Sequence, residues 1–188
     1  MRRVRYHVAC SLDGYIAGPQ GEYDWIVAEP EIDFGELFAE FDTLLMGRRT
    51  YEVVRAQGSR WPGMHNVVFS RTLDPGEHRD VRLVSDRAGE VVAELKAQPG
   101  KDIWLFGGGE LFRSLLEIGC VDTVEPAIIP VLLGGGIPFL PAPAARCSLQ
   151  LTGHRLYRSG IVWLQYAVQP ASAARPPARR RTRPARSG

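Results

Sequence analysis

The chain has 188 residues, 45% of them hydrophobic and 23% charged, proportions ordinary for one globular domain. Its formal net charge of +2 hides a division, because residues 171–188 hold six Arg and no acid, which leaves 2 − 6 = −4 for residues 1–170. An acidic body argues against a dedicated nucleic-acid surface, and three scattered cysteines (Cys10, Cys120, Cys147) without metal-ligand spacing argue against a disulfide framework or a structural zinc.

In chain order, Val4–Ser11 is short, rich in β-formers and closed by the turn pair Asp13-Gly14, so it reads as a strand. Residues 17–33 mix Pro, Gly and acids and read as a long loop. Apolar residues at 34, 37, 38 and 41 have the spacing of one helical face. Thr43–Met46 predicts a buried strand broken by Gly47, and Thr50–Ala56 a helix. Asn66–Ser70 and Val81–Ser85 predict strands, and 89–97 a helix closed by Pro99-Gly100. Ile103–Phe106 predicts a buried strand, followed by three glycines and a helix over 110–118. Val121–Leu133 is a long β-type run interrupted by Pro126, where broken or bulged pairing is expected. Two alternating segments, 149–157 and 160–168, predict antiparallel strands. The order of elements predicts an α/β architecture, a mostly parallel sheet with an antiparallel C-terminal edge. The domain spans 1–169, and the Arg/Pro/Ala-rich residues 170–188 are expected to be disordered. No run of 18 apolar residues and no signal-peptide core is present, so a cytoplasmic location is expected.

Three turns carry the chemistry. Gly107–Gly109 lies between a strand and a helix, where glycines let backbone N–H groups approach an anion and the helix N-terminus adds positive charge. A diphosphate suits such a turn, although glycines also serve a tight turn that binds nothing. The segment TLLMGRRTYE repeats the strand–Gly–helix pattern with Arg48, Arg49 and Thr50 at the turn. Two guanidiniums and a hydroxyl suit a phosphomonoester beside a diphosphate, the pattern of NADPH rather than NADH. A surface Arg pair with Thr50 as N-cap is the plainer alternative. Ser70 and Arg71 follow a third strand. Ligands of open α/β sheets bind outside the carboxyl ends of the strands, so the three turns are expected to converge on one crevice.

These residues resemble the dihydrofolate reductase superfamily, and more closely the reductase domain of riboflavin-biosynthesis deaminase-reductases. The carriers are ACSLDGYIA (9–17), Asp24-Trp25, LLMGRRTYE (44–52), VVFSR (67–71), DIWLFGGGELF (102–112), IIPVLLGGGIPFL (128–140) and SGIVWLQY (159–166), which together span about residues 2–168. The resemblance implies a central sheet of about eight strands flanked by helices, NADPH as hydride donor, and a homodimer paired through C-terminal strands. It implies that Gly47, Arg48, Arg49, Thr50, Ser70 and Arg71 lie along the adenosine and pyrophosphate half. Phe106, Gly107, Gly108, Gly109, Glu110 and Leu111 would line the diphosphate and nicotinamide side, with a cis Gly107–Gly108 bond. Ala9 and Ile16 or Ala17 would face the nicotinamide, and Ser11–Ala17 would be the mobile loop that closes over it. For the proton side, Asp24, Glu31 and Asp33 are candidate acids and Asp13 is another, with Trp25 as an aromatic wall. The alternatives are a turn residue for Asp13, a solvated acidic loop for the other three acids and core packing for Trp25. The function implied is reduction of a pterin-like, pyrimidine-like or other small heterocycle. A noncatalytic NADPH-binding sensor is the alternative, and contact of the basic tail with RNA a third. No metal is expected, and no cytidine-deaminase zinc motif is present.

Overall fold

The computed structural model describes residues 1–58 and 63–170. The expected tail, 171–188, lies outside the described residues. Ten strands and four helices follow in the order β1 (Val4–Ser11), β2 (Tyr15–Ala17), α1 (Phe34–Ala39), β3 (Phe41–Gly47), α2 (Arg48–Ala56), β4 (His65–Phe69), β5 (Arg82–Val84), α3 (Ala88–Ala97), β6 (Asp102–Gly107), α4 (Gly109–Glu117), β7 (Thr123–Ile129), β8 (Ile137–Pro138), β9 (Leu149–Leu156) and β10 (Val162–Val168). Eight strands form one sheet in the order β5-β4-β3-β6-β1-β7-β10-β9. The first six are parallel to their neighbours, while β10 and β9 close the edge antiparallel.

Side-chain alternation along β1 shows how the sheet divides the core. Val4, Tyr6 and Val8 face α3 and α4, packing with Val92, Leu95, Phe112 and Leu115. Tyr6 stacks on Phe112 with ring centroids 3.9 Å apart. Across the sheet, Phe41, Leu44, Met46 and Trp104 pack with Tyr51 and Val54 of α2 and with Leu37 and Phe38 of α1. Apolar residues thus line both faces of the central strands, which is why their sequences read as continuous hydrophobic runs.

Four differences from the sequence reading have physical causes. Phe41, counted on a helical face, instead opens β3 as a buried residue. Helix α2 starts at Arg48, so Gly47 is its N-cap and Thr50 lies in its first turn. Strand β7 passes through Pro126 in unbroken register with β1, Val8 opposite Pro126. On its other side the pairs Trp163–Ala127 and Tyr166–Val124 keep one register but none forms at Pro126 or Glu125, so the ladder to β10 is broken there, as expected, without a bulge. The irregularity falls one strand further out, between β10 and β9 at Gln165/Tyr166. The short pair β2–β8 was not foreseen.

The second face of β1 is unusual because it buries charge. Arg5 Nε and Nη2 donate to the two carboxylate oxygens of Glu125 at 2.9 and 2.8 Å, and a further bond runs from Arg5 to Glu40. Thr123 Oγ1 at 2.7 Å and Gln165 Nε2 at 3.2 Å also donate to Glu125, which is fully buried. Burial alone would raise the Glu125 carboxyl, but hydrogen bonds from His7 and Arg5 and the charge of Arg5 outweigh it and hold it well below the usual range. Its contribution to stability is therefore complete above the unfolded value of 4.5 and is lost as pH falls through the depressed folded value. Glu125→Ala would remove the bidentate partner of a buried guanidinium, leaving it only its hydrogen bond to Glu40, and is expected to lower unfolding free energy by about 3–5 kcal/mol. Urea denaturation at pH 7 checks this, and a loss below about 1 kcal/mol would contradict the assignment.

Candidate active site

Strands β4, β3 and β6 are parallel neighbours whose carboxyl ends coincide, with Gly47 opposite Phe69 and Met46 opposite Gly107. After β3 the chain turns onto one face as α2, and after β6 onto the other as α4. Adjacent strands that dismiss their helices to opposite faces open a crevice at the sheet edge. Both helices are nine residues long, both have glycine N-caps (Gly47, Gly108), and neither has a side-chain cap. Their first-turn N–H groups and the positive ends of their dipoles therefore lie at one crevice.

The contacts around these glycines are close. The Gly107–Gly108 peptide is cis, as the resemblance implied. A methyl group added at Gly108 would lie 3.5 Å from Thr50 Oγ1 and 4.0 Å from Ile16 Cδ1, so those two side chains flank the turn. One added at Gly47 would lie 3.8 Å from Leu111 Cβ and 3.9 Å from Gly107 O and Gly108 N. Ile16, Gly47, Thr50, Gly107, Gly108 and Leu111 are thus brought together. Gly109 has a different reason to be glycine. A methyl there would overlap the Pro138 carbonyl oxygen and lie 3.0 Å from Pro141 Cδ, so the chain itself makes the close approach. Phe106 packs edge-on to Trp104, ring centroids 5.1 Å apart, and Ala9 is half-buried on β1.

The charged rim is exposed. Arg48 Nη1 donates to Thr72 Oγ1 at 3.3 Å, and Arg49 and Arg71 point to solvent. Ser70 Oγ accepts from the N–H groups of Thr72 and Leu73 at 3.2 and 3.1 Å, which fixes the turn after β4. Thr72, a hydroxyl beside Arg48, escaped the sequence reading because only the fold places it across from α2. Glu110 is exposed and accepts from Arg113 Nη2 at 2.7 Å.

The loop at Ser11–Ala17 is laced to residues 131–139. Leu12 N donates to Val131 O at 2.9 Å, Phe139 N to Gly14 O at 2.8 Å, and Ala17 pairs with Ile137. Asp13 is part of this lacing. Its carboxylate accepts from Ser11 Oγ at 2.6 Å, Leu133 N at 3.1 Å and Gly134 N at 2.7 Å. The Ser11 bond foremost, with the two N–H groups, holds it below the usual carboxylate range, so it carries no proton to give at neutral pH. Asp24 is exposed, and Trp25 is half-buried with Nε1 donating to Glu22 O at 3.2 Å. Their loop crosses the α1/α2 face, bonded at one end through Tyr23 to Gln57 and at the other through Glu29 to Ser159 N. Gly109→Ala is expected to destabilise the fold by about 1–3 kcal/mol through overpacking. Gly135→Ala, which would meet nothing within 4 Å, is expected to be silent. Equal melting temperatures for the two variants would contradict this packing.

A profile of the RibD C-terminal domain matches residues 2–163. The Bacillus subtilis (strain 168) protein YyaP is 33% identical over 178 residues, 88% of this chain and 94% of YyaP. A dihydrofolate reductase of Mycobacterium tuberculosis (strain ATCC 25618 / H37Rv) is 29% identical over 129 residues, 62% of this chain and 74% of that enzyme. The crystal structure of a Shewanella sp. PV-4 protein assigned to riboflavin biosynthesis superposes with a TM-score of 0.77 at 26% identity, covering 90% of this chain and 100% of the other. Among the described residues, no helix is long and apolar enough to cross a membrane. The strand order, the cis glycine turn and the extent of these matches place the chain in the RibD C-terminal domain family, within the dihydrofolate-reductase-like superfamily.

Proposed function

We propose that the protein is an NADPH-dependent reductase of a small heterocycle, pterin-like or pyrimidine-like, of the kind met in riboflavin and folate chemistry. The observation that carries this reading is the pair of glycine-capped helix N-termini, α2 and α4, opening on one crevice at the ends of β3 and β6. The dinucleotide fits these residues. The Gly107–Gly108 turn leaves backbone exposed between Thr50 and Ile16, and the first-turn N–H groups supply donors for a diphosphate. Arg48 and Arg49, with Thr72 beside them, would hold a 2′-phosphate by charge-assisted hydrogen bonds. When bound, the nicotinamide supplies a hydride for a C=N or C=O bond of the substrate. The protein contributes orientation: the Thr50 hydroxyl and glycine backbone fix the diphosphate, and Ile16 closes one side of the ring site against water. The relatives named for dihydrofolate reduction and riboflavin biosynthesis support this chemistry.

The setting of the reaction is the cytoplasm in this reading, and the working unit is a homodimer. The edge strand, β9, offers exposed Leu149, Leu151 and Leu156 where a second copy would pair.

Replacing Arg48 and Arg49 together by Ala should weaken NADPH binding about 10–100-fold, the value of one or two charge-assisted hydrogen bonds. NADH binding should change little. Calorimetric titration of both cofactors checks this, and equal losses would contradict a 2′-phosphate site. NADPH oxidation on adding dihydrofolate or a ribosylaminopyrimidine phosphate separates a reductase from a cofactor-binding sensor, which would bind without turnover.

A further inference from the structure

Asp13 is committed to the loop by three hydrogen bonds. The second face of β1 supplies another group. His7 points to the same face as Arg5 and Ala9, opposite the Tyr6 side. Its Nδ1 lies 3.2 Å from Glu125 Oε2, and its side chain is 16% exposed, whereas Glu125 is fully buried. His7, Glu125 and Gln165 sit side by side on β1, β7 and β10, with Gln165 also donating to Glu125. The next row toward the crevice is Ala9, Ala127 and Trp163. Two alanines there leave shallow space on the sheet, about 6.6 Å further along β1 from His7. The imidazole stands between Trp104 and Trp163, ring centroids 6.1 and 6.4 Å away, and Trp104 in turn contacts Phe106, the residue before the cis glycine turn. Trp163 Nε1 is buried without a hydrogen-bond partner, a second donor on the same wall.

We propose that His7 is the proton donor to the reduced heterocycle and Glu125 its positioning residue, an inference that rests on the reductase reading above. Glu125 stays ionised and can only accept, so it requires a proton on Nδ1 whatever the charge of the ring. That leaves Nε2 as the nitrogen that gains and loses the proton. Histidine is the side chain whose exchange falls near neutral pH. As the carbon of a substrate C=N accepts hydride from the dihydronicotinamide, the π pair settles on nitrogen. That nitrogen takes the proton from Nε2 of the cationic ring. The Nε2–H bond breaks, the neutral ring keeps Nδ1–H toward Glu125, and solvent restores the proton. The charged groups around the ring are Glu125 from β7 and Arg5 from β1. Glu40, at the end of α1, and Asp102 of β6 lie on the far side of Arg5. A buried carboxylate holding Nδ1 of a partly exposed imidazole, which leaves Nε2 without a bond to that carboxylate, is an arrangement for proton transfer.

The test pairs a ligand-free spectrum with kinetics. In nitrogen-15 spectra of the protein without ligands, neutral His7 is expected to carry its proton on Nδ1, and the Nε2 tautomer would overturn the proposal. Adding dihydrofolate should shift the Nε2 resonance, and no shift would overturn it whether or not turnover is seen. His7→Asn keeps an N–H donor for Glu125 but removes Nε2. Dihydrofolate reduction by this variant should fall about 100-fold or more, with NADPH affinity within about twofold of wild type. A variant with wild-type rate would refute the role of His7 and leave the reductase reading intact. Absence of turnover in the wild type, despite the expected Nε2 shift, would count against the reductase reading alone.

Discussion

Two neighbouring strands, β3 and β6, run parallel and end together, yet the helices that follow them must cover opposite faces of the sheet. The backbone has to part at that point, where Gly47, Gly107 and Gly108 bring no side chain of their own. The helices begin directly at the parting, so their unbonded N–H groups and dipole ends are exposed to whatever occupies it. In the proposed reading an anion would bind at this parting because of chain direction and glycine, and the rim of Arg48, Arg49 and Thr72 would add charge and selectivity. The lacing of Ser11–Ala17 to residues 131–139 through Asp13 and the β2–β8 pair then brings Ile16 over the glycine turn.

The same sheet solves a second problem on its other face. Arg5 and Glu125 are buried in a region where hydrophobic residues would cost less to bury, so the pair is weak evidence for stability as such. What it does is fix polarity beside the crevice. Glu125 accepts from Arg5, Thr123, Gln165 and His7 on three adjacent strands, and each bond depends on the register among β1, β7 and β10. A slip of one residue would turn every member of this row to the opposite face. Register and chemistry are coupled here, and the unbroken pairing of β7 with β1 through Pro126 keeps Ala127 and Glu125 in place.

Much of the fold was legible because its signals are local. Glycines at 47 and 107–109 punctuate changes from strand to helix, and the main strands and helices lie close to where periodicity put them. The convergence of three turns was legible too, since parallel order follows from alternating elements. What escaped depends on contacts distant in sequence. Nothing near Gly109 reveals that Pro138 and Pro141 press against it. Nothing beside Asp13 in sequence shows that its carboxylate accepts from Leu133 and Gly134. His7 lies in VRYHVACS without any marking pattern, and its partner Glu125 is 118 residues away. Strands β2 and β8, three and two residues long, are too short to show a period.

The central claim concerns where a dinucleotide sits, and a crystal structure of the complex with NADP⁺ tests it most directly. The diphosphate is expected within hydrogen-bonding distance of first-turn N–H groups of both α2 and α4, its 2′-phosphate toward Arg48 and Arg49 and its nicotinamide beside Ile16 and Ala9. A cofactor bound at any other edge of the sheet, or one touching only a single helix, would contradict the account.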